Sequence, residues 1–226
     1  WAVYPINRIM PHHINKWKDV ALKTLSGGSV NRKLDVISTM FTTFKREWGY
    51  PVDNPVLQIR RPKKAEPRDR RLSDAEIKKL LFGNRTSPVM KSIIQISLET
   101  GMRLSEILRA DHANLEGHTL TIPITKTKPR VIPLTNKALK LLKECELPFK
   151  ISKWQVSKQF RKLCKWYGIK GAVFHDCRRN ALTDFMRVHK LNVPETMRIA
   201  GYSDPRMLLR IYNNLEAHHV AKKLNS

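Results

Sequence analysis

A basic segment that contains two prolines, RRPKKAEPRDRR at residues 60–71, divides the sequence into two parts. It holds seven basic residues, two acidic residues and two prolines. Proline lacks a backbone donor and disfavours a helical conformation at the preceding residue, so we expect an extended linker here. The chain has 226 residues, which is enough for two ordinary domains. We predict a helical domain over residues 1–58, a basic linker over residues 59–71 and a second domain over residues 72–226.

The sequence before the linker has the period of an amphipathic helix. Apolar residues recur at alternating spacings of four and three and therefore share one stripe: Val30, Leu34, Ile37, Phe41, Phe44 and Trp48. Ser29 is placed to cap this helix, and Gly49 follows its expected end. With MPHHINKWKDVALKTLS just before it, the stripe predicts a small helical domain. Because the first residue is Trp1 rather than Met, we expect this domain to be incomplete at its N-terminus and the chain to be part of a longer protein.

The sequence after the linker changes period once. Ser73 and Glu76 form a capping box, Pro88 suits a first helical turn, and Gly101 ends the next apolar run. HTLTIPITKTKPRVIPL then predicts two strands around the polar turn TKTKP. Helical patterns resume at residues 136–145, 153–167, 176–189, 194–200 and 205–224. The predicted fold class is therefore mainly α, with a small antiparallel sheet in the second domain.

The charge of the chain points to an anionic partner. Lys and Arg number 43 against 19 Asp and Glu, giving a formal net charge of +24. Nucleic acid is the first candidate, because each phosphate contact releases counterions. An anionic membrane is less favoured, since no basic amphipathic helix stands out, and a merely basic soluble surface is the alternative. The linker itself can follow a DNA backbone or serve as a solvated tether.

The cysteines and histidines indicate neither disulfides nor a metal site. The three cysteines are odd in number and form no CxxC pair, which favours a reducing compartment. The His12–His13 and His218–His219 pairs lack the further ligands that metal spacing requires. We therefore expect no metal and no cofactor, and we expect the protein to be cytoplasmic.

Two stretches place strong charge beside turns. In LETGMRLSEIL, Arg103 follows the Gly101 turn and can grip a phosphate with its planar fork. The alternative is an ordinary pair with Glu106 on a helix surface. In the hairpin, Lys126 and Lys128 can reach a bound backbone and donate a proton, or they can simply be solvated.

A third stretch, FHDCRRNALTDF, puts His175 and Arg178 three residues apart on one helical face. Histidine is the side chain best suited to proton transfer near neutral pH. Asp176 is a candidate N-cap of this helix. The alternative is that His175 is only a hydrogen-bonded residue at the helix entry.

The order of these elements resembles the tyrosine recombinase (phage integrase) family. ETGMRLSEI, HDCRR, AGYSDP and a C-terminal tyrosine helix fall where that family has its own motifs, and the resemblance covers nearly the whole chain. VNRKLDVISTMFTTFKREWGYPVDNP is similar to the family's core-binding domain. The resemblance implies that the second domain is catalytic and that DNA is cut without metal or ATP.

The resemblance also implies a role for each candidate. It makes Tyr212 the nucleophile, and Arg103 and Arg178 the residues that bind the phosphate oxygens. Lys126 is the general acid and His175 assists proton transfer. Tyr202 donates a hydrogen bond to the phosphate, and Glu106 has a structural role. The basic residues expected on DNA are Arg60, Arg61, Lys63, Lys64, Lys128, Arg130 and Arg179. We favour Lys126 over Lys128 as the general acid because TKT resembles the family's hairpin pattern.

The sequence departs from the family pattern at both tyrosines. Tyr202 stands where the family usually has His or Trp, although a phenol can also donate one hydrogen bond. Tyr212 lies one residue further along than expected, and one residue rotates a helical side chain by roughly 100°. The turn residues SDP can absorb this shift. The alternative for both tyrosines is simple packing.

The resemblance implies double-stranded DNA with specific recombination sites as the partner. It also implies a homotetramer on two duplexes, a monomer or dimer when free, and a nucleoid-associated protein in the cytoplasm. Two other functions stay open: a DNA-binding factor with impaired catalysis, and a type IB topoisomerase-like enzyme.

Overall fold

The computed structural model describes residues 4–66, 68, 70–123, 129–206 and 208–209. The chain separates into two compact units, Trp1–Arg68 and Asp69–Ser226. Within the first unit, the extended segment after residue 59 lies against the helices. The side-chain amide of Asn31 donates to the Pro62 carbonyl at 2.8 Å, and Lys18 donates to the Arg60 carbonyl at 3.2 Å.

The first unit is built on two helices, α1 (Pro11–Leu22) and α2 (Gly27–Arg46). The side chain that caps α2 is Ser26, which accepts from the Ser29 amide at 3.3 Å. The predicted cap at Ser29 was therefore wrong, because the helix begins two residues earlier. The stripe on α2 is confirmed as far as Phe44, whereas Trp48 lies beyond the helix and is 60% exposed.

The core of the first unit is closed by short irregular elements. A 3₁₀ turn at Ile6–Arg8 precedes α1, and a second at Pro55–Gln58 follows α2. The buried apolar residues of this core are Ile9, Ile14, Val30, Leu34, Phe41, Val52, Val56 and Ile59.

The second unit is mainly helical. Its helices are α3 (Asp74–Phe82), α4 (Pro88–Thr100), α5 (Leu104–Ile107), α6 (Asn136–Glu144), α7 (Lys153–Trp166), α8 (His175–Arg187) and α9 (Val193–Ala200). The capping box is confirmed, since Ser73 accepts from the Glu76 amide at 3.3 Å. Gly101 ends α4, as the sequence predicted, and it adopts the left-handed conformation with φ of 61°.

A small antiparallel sheet lies between α5 and α6, after a 3₁₀ turn at His112–Asn114. Its strands are β1 (Leu115–Glu116), β2 (Thr119–Ile122) and β3 (Arg130–Pro133), in the order β1-β2-β3. β2 and β3 pair as the predicted hairpin, with Ile122 opposite Arg130 and Leu120 opposite Ile132. The predicted fold class, mainly α with a small antiparallel sheet, is confirmed, and β1 is an additional short strand.

Two apolar clusters hold the second unit together. The larger joins α3, α4, α6, α7 and the sheet around buried residues such as Ile93, Ile107 and Phe160. The smaller packs α8 against α9 through Leu182, Ile199 and neighbouring residues. Within the described ranges, no helix is both long enough and apolar enough to cross a bilayer.

Candidate functional site

Arg178, in the first turn of α8, lies at the centre of the site and is only 2% exposed. Its terminal nitrogens donate to the carbonyls of Gly101 at 2.5 Å and Ala200 at 2.6 Å. These two carbonyls stand at the carboxyl ends of α4 and α9, where helix dipoles favour a cation. Two helix ends thus compensate the buried charge of Arg178 and fix the direction of its guanidinium.

Arg103 approaches the same region from the start of α5. It donates to Glu106 Oε1 at 2.9 Å and to the Gly201 carbonyl at 3.0 Å, and its side chain is 40% exposed. The Arg103–Glu106 pair that the sequence offered as the alternative therefore forms. It leaves Arg103 partly open to solvent, so the pair does not prevent contact with an anion.

Arg130 completes a cluster of three arginines. One terminal nitrogen donates to the Ile199 carbonyl and the other to Glu106 Oε2, both at 2.6 Å. Burial lowers the pKa of Arg130, and the Glu106 carboxylate opposes that shift. Arg130 was predicted to contact DNA; in the structure both its terminal nitrogens are engaged inside the protein.

Glu106 is the buried carboxylate of this cluster, 5% exposed. Burial alone raises the pKa of its carboxyl, but hydrogen bonds from Arg103 and the charge of Arg130 outweigh that effect, so its pKa lies below the ordinary value. One carboxylate against three guanidiniums leaves the cluster with excess positive charge.

Tyr202 follows the left-handed turn at Gly201 and lies beside two of the arginines. The centre of its ring is 5.9 Å from the guanidinium carbon of Arg103 and 5.1 Å from that of Arg178. Cations over an aromatic face are attracted by the ring quadrupole. Tyr202 is therefore part of the cluster, and it also packs on the smaller apolar core.

His175 opens α8 one turn before Arg178. Desolvation by the surrounding protein, together with the charges of Arg178 and Arg179, lowers the pKa of His175 below its ordinary value. The imidazole is therefore neutral near pH 7 and can accept a proton. The residue that caps α8 is Phe174, without a side-chain hydrogen bond, so the predicted cap at Asp176 was wrong. Asp176 is already inside the helix, where its carboxylate accepts from the Val173 amide at 2.8 Å.

The arrangement can bind an anion. The Nε atoms of Arg130 and Arg178 are buried and have no hydrogen-bond partner among the described residues. An unsatisfied buried donor is costly, and an oxyanion that reached Arg103 and Arg178 would satisfy the Nε of Arg178. The neutral imidazole of His175 lies one helical turn from Arg178 on α8. A base at that place suits a reaction at a bound phosphate.

The structure brings together four of the six predicted catalytic residues: Arg103, His175, Arg178 and Tyr202. Lys126 and Tyr212 lie outside the described residues, as does Lys128. The side chains of Arg60, Lys63 and Lys64 are exposed on the first unit, and Arg61 pairs with Asp35 at 2.5 Å. Arg179 is half-buried in α8.

A second basic region was missed by sequence reasoning. We define the α7 face as Trp154, Lys158, Lys162 and Trp166 on α7, with Arg85 from the loop before α4. Lys158 lies 4.7 Å from the centre of the Trp154 ring, Lys162 lies 4.6 Å and Arg85 lies 5.2 Å from that of Trp166. Both tryptophans are exposed, by 63% and 47%. The signal was present in the sequence, because α7 carries five basic residues and no acidic ones.

No cluster of three or more histidine, cysteine, aspartate or glutamate side chains with metal-binding geometry occurs within the described part of the chain.

Residues 70–147 match the family model described as "Phage integrase family". The shufflon-specific DNA recombinase of Escherichia coli is 32% identical over the whole of this chain, which spans 63% of that relative's length. A putative integrase/recombinase of Haemophilus influenzae is 28% identical over 97% of this chain and 77% of its own length. The chain is thus similar, over most of its length, to integrases and recombinases, and its residues 70–147 match the phage integrase family.

Solved structures share the fold at low sequence identity. A lambda integrase dimer bound to a COC′ core site superimposes with a TM-score of 0.79 at 18% identity, covering 92% of this chain and 81% of that one. The Tn1549 transposon integrase in complex with circular intermediate DNA gives a TM-score of 0.73 at 16% identity, covering 98% and 86%.

Proposed function

We propose that this chain is the DNA-cleaving and DNA-rejoining part of a site-specific recombinase. The observation that carries the proposal is the convergence of Arg103, Arg178, His175 and Tyr202 at the carboxyl ends of α4 and α9. These are the residues that the family resemblance assigns to phosphate binding and proton transfer. The similarity to integrases and recombinases and the net charge of +24 support the same proposal.

In the proposed reaction, Arg103 and Arg178 bind the non-bridging oxygens of a phosphodiester, where negative charge grows in the transition state. The phenol oxygen of Tyr212 bonds to phosphorus while the bond to the 5′ oxygen breaks. The neutral His175 takes the phenol proton, and Lys126 gives a proton to the departing 5′ oxygen. The product is a 3′-phosphotyrosine and a free 5′-hydroxyl. Attack by the 5′-hydroxyl of another strand reverses these steps, rejoins the DNA and releases Tyr212.

Tyr202 acts in this scheme as a donor to the same phosphate. Its ring lies beside the two guanidiniums that bind the phosphate in this scheme. The residue that carries the hydroxyl is therefore a member of the arginine cluster. The cation–π contacts also restrict the direction of the two guanidiniums, which helps to prearrange the clamp.

The α7 face contributes affinity for the DNA backbone. Its lysines and Arg85 are exposed cations held over exposed aromatic rings. Such cations contact phosphates without reading sequence, and each contact adds salt-dependent binding. We assign the same backbone role to the exposed basic residues of the linker, Arg60, Lys63 and Lys64.

A homotetramer on two duplexes fits strand exchange, because each duplex must be cut on both strands. A lambda integrase tetramer bound to a Holliday junction has a TM-score of 0.76 with this chain at 18% identity. The proposed partner is therefore double-stranded DNA that carries recombination sites.

The test is covalent capture on DNA. The wild-type chain and Tyr212→Phe are incubated with fragmented DNA from the source organism, denatured in SDS, and the DNA that remains attached is sequenced. We expect an SDS-resistant adduct in the wild type and none in Tyr212→Phe. Tyr202→Phe serves as the matched control, because it removes one phenol hydroxyl from the same segment and is expected to weaken the adduct rather than abolish it.

Other results would redirect the proposal. An adduct that persists in Tyr212→Phe and disappears in Tyr202→Phe would exchange the roles of the two tyrosines. Binding that is reversed by salt in every variant, with no adduct, would make the chain a DNA-binding factor. Relaxation of supercoiled plasmid by a monomer, without exchange between sites, would indicate the topoisomerase-like activity.

A further inference from the structure

We propose that Arg130 is a positioning residue for the reaction site: it fixes the carboxyl end of α9 and so aims Arg103 and Arg178, without touching the DNA. This inference rests on the proposed function for its consequence, and on the described contacts for its geometry.

Three consecutive carbonyls at the end of α9 are each bound by a different arginine. Ile199 accepts from Arg130 at 2.6 Å, Ala200 from Arg178 at 2.6 Å, and Gly201 from Arg103 at 3.0 Å. The last carbonyls of a helix have no partner within the helix, and cations are favoured there. The end of α9 is thus held by side chains from three separate elements.

Arg130 closes this arrangement into a ring. Glu106 accepts from Arg103 through one carboxylate oxygen and from Arg130 through the other, at 2.9 and 2.6 Å. Arg130 then reaches Ile199, and two residues further along the Gly201 carbonyl returns to Arg103. The direction of the Arg103 guanidinium is therefore coupled, through Glu106 and Arg130, to the position of α9.

Gly201 is fitted to the presence of Arg130. A Cβ built on Gly201 would collide with a terminal nitrogen of the Arg130 guanidinium, and the φ of Gly201 is 62°. The backbone angle favours glycine at this position, and a side chain there would have to displace the Arg130 guanidinium. Arg130 is thus packed against the turn that leads into Tyr202 and the segment bearing Tyr212.

The surroundings of Arg130 favour a structural role. Its side chain is 12% exposed and both terminal nitrogens are bound to acceptors within the protein, as those of Arg178 are. One acceptor of Arg130, unlike those of Arg178, is the Glu106 carboxylate, which offsets the charge that a phosphate would meet. Arg130 stands on the inward side of β3 with Ile132, while Val131 between them is 51% exposed.

Arg130→Lys separates the two roles. Lysine keeps the charge, and so keeps a phosphate contact, but its single nitrogen cannot reproduce the fork that reaches Ile199 and Glu106. The DNA used in the test is the duplex recovered by covalent capture. A second variant, Arg130→Met, removes the charge as well. Arg109→Lys is the matched control, because Arg109 is an exposed arginine outside the cluster.

We expect Arg130→Lys to bind the duplex with a dissociation constant within about twofold of the wild type and an unchanged salt slope. At saturating DNA the rate of adduct formation should fall about 10²-fold, the scale of a misplacement near 1 Å. Arg109→Lys should match the wild type in both measurements. A wild-type rate in Arg130→Lys would overturn the proposal. A salt slope lower by about 1 in Arg130→Met, with a normal rate at saturation, would restore the DNA-contact role.

Hydrogen exchange tests the same geometry without DNA. The amides of Gly201 and Tyr202 donate to Arg198 at 3.3 Å and Met197 at 3.1 Å. We expect both amides to exchange at least about tenfold faster in Arg130→Lys and Arg130→Met, while the Gly168 amide at the end of α7 is unchanged. Unchanged exchange at Gly201 and Tyr202 would overturn the positioning role whether or not an adduct forms. Failure of the wild type to form an adduct would count against the proposed function alone.

Discussion

The arginine cluster and the α7 face carry the same kind of charge in opposite surroundings. In the cluster, the guanidinium of Arg178 is buried and that of Arg130 is largely so, and both are bound to helix carbonyls or to Glu106. On the α7 face, Lys158 and Lys162 are exposed and lie over tryptophan rings. A buried cation has one permitted geometry because its desolvation must be offset by particular acceptors. An exposed cation can move at little cost and contributes mainly attraction.

The difference indicates that the two regions do separate work. Substitutions in the cluster should change the rate at saturating DNA and the stability of the protein. Substitutions on the α7 face should change affinity and its salt dependence. Substitutions in the two regions, compared for rate, stability and salt dependence, test this division.

Arg178→Lys should have the largest effect. The lysine nitrogen cannot serve the Gly101 and Ala200 carbonyls and a phosphate oxygen together, so transition-state stabilisation is lost. We expect the rate of adduct formation at saturating DNA to fall by about 10²- to 10³-fold, as for the removal of one prearranged donor. Single-turnover kinetics measures this, with Arg109→Lys as the control. A rate within threefold of the wild type would remove Arg178 from the phosphate clamp.

Glu106→Gln should give the largest loss of stability. It leaves the buried charge of Arg130 without its carboxylate, and breaking a buried pair from one side costs about 3 kcal/mol. Denaturant unfolding measures this free energy. Glu144→Gln is the control, because Glu144 is 60% exposed and 3.8 Å from Lys140, so its loss should cost less than about 0.5 kcal/mol. Equal effects of the two substitutions would mean that burial does not distinguish the cluster.

Gly201→Ala should be more destabilising than Gly168→Ala. Both glycines follow a helix with positive φ, 62° and 70°, and donate to a carbonyl three residues back. Only at Gly201 would the new Cβ meet Arg130, since the Cβ position at Gly168 is open. The backbone cost, about 1 kcal/mol, is shared, so the additional loss at Gly201, about 1–3 kcal/mol, reports the displacement of Arg130. If denaturant unfolding gave equal losses of unfolding free energy for the two variants, the Arg130 side chain could move aside at no cost.

The pH dependence of the unfolding free energy should reveal the contribution of the Glu106 charge. Its folded pKa lies below the ordinary value of 4.5, so the unfolded state binds the proton first as pH falls. Its contribution is therefore fully present above about pH 4.5 and is lost as pH falls through the lower folded value. The difference in unfolding free energy between the wild type and Glu106→Gln should shrink below pH 4.5. A constant difference from pH 3 to 7 would show that the charge of Glu106 is not what matters.

The sequence predicts the fold well where local signals act alone. The capping box at Ser73 and the left-handed turn at Gly101 depend only on neighbouring residues, and both are present. Four residues of the candidate site were predictable from the sequence, because the family resemblance singles out Arg103, His175, Arg178 and Tyr202.

Local signals do not determine a contact when the partner is distant in the chain. Arg130 was predicted to contact DNA, and strand alternation places it on the inward side of β3 with Ile132. Its acceptor at Ile199 is 69 residues away, and no local pattern identifies it. The cap at Ser26 was missed for a smaller reason, because two glycines after it concealed the start of α2.

Lys158→Ala and Lys162→Ala should have the smallest effects, confined to DNA affinity. Each lysine lost from the α7 face should lower the slope of log affinity against log salt by about 1, because one fewer counterion is released on binding. Stability should change by less than about 0.5 kcal/mol, since the side chains are exposed, and the adduct rate at saturating DNA should equal that of the wild type.

Arg109→Ala is the control that removes an exposed charge outside the face. Equal slopes for Arg109→Ala and the α7 variants would mean that total charge, rather than this face, attracts the DNA. A lower rate at saturation in the lysine variants would mean that the α7 face also helps to place the scissile phosphate, and the division between the two regions would fail.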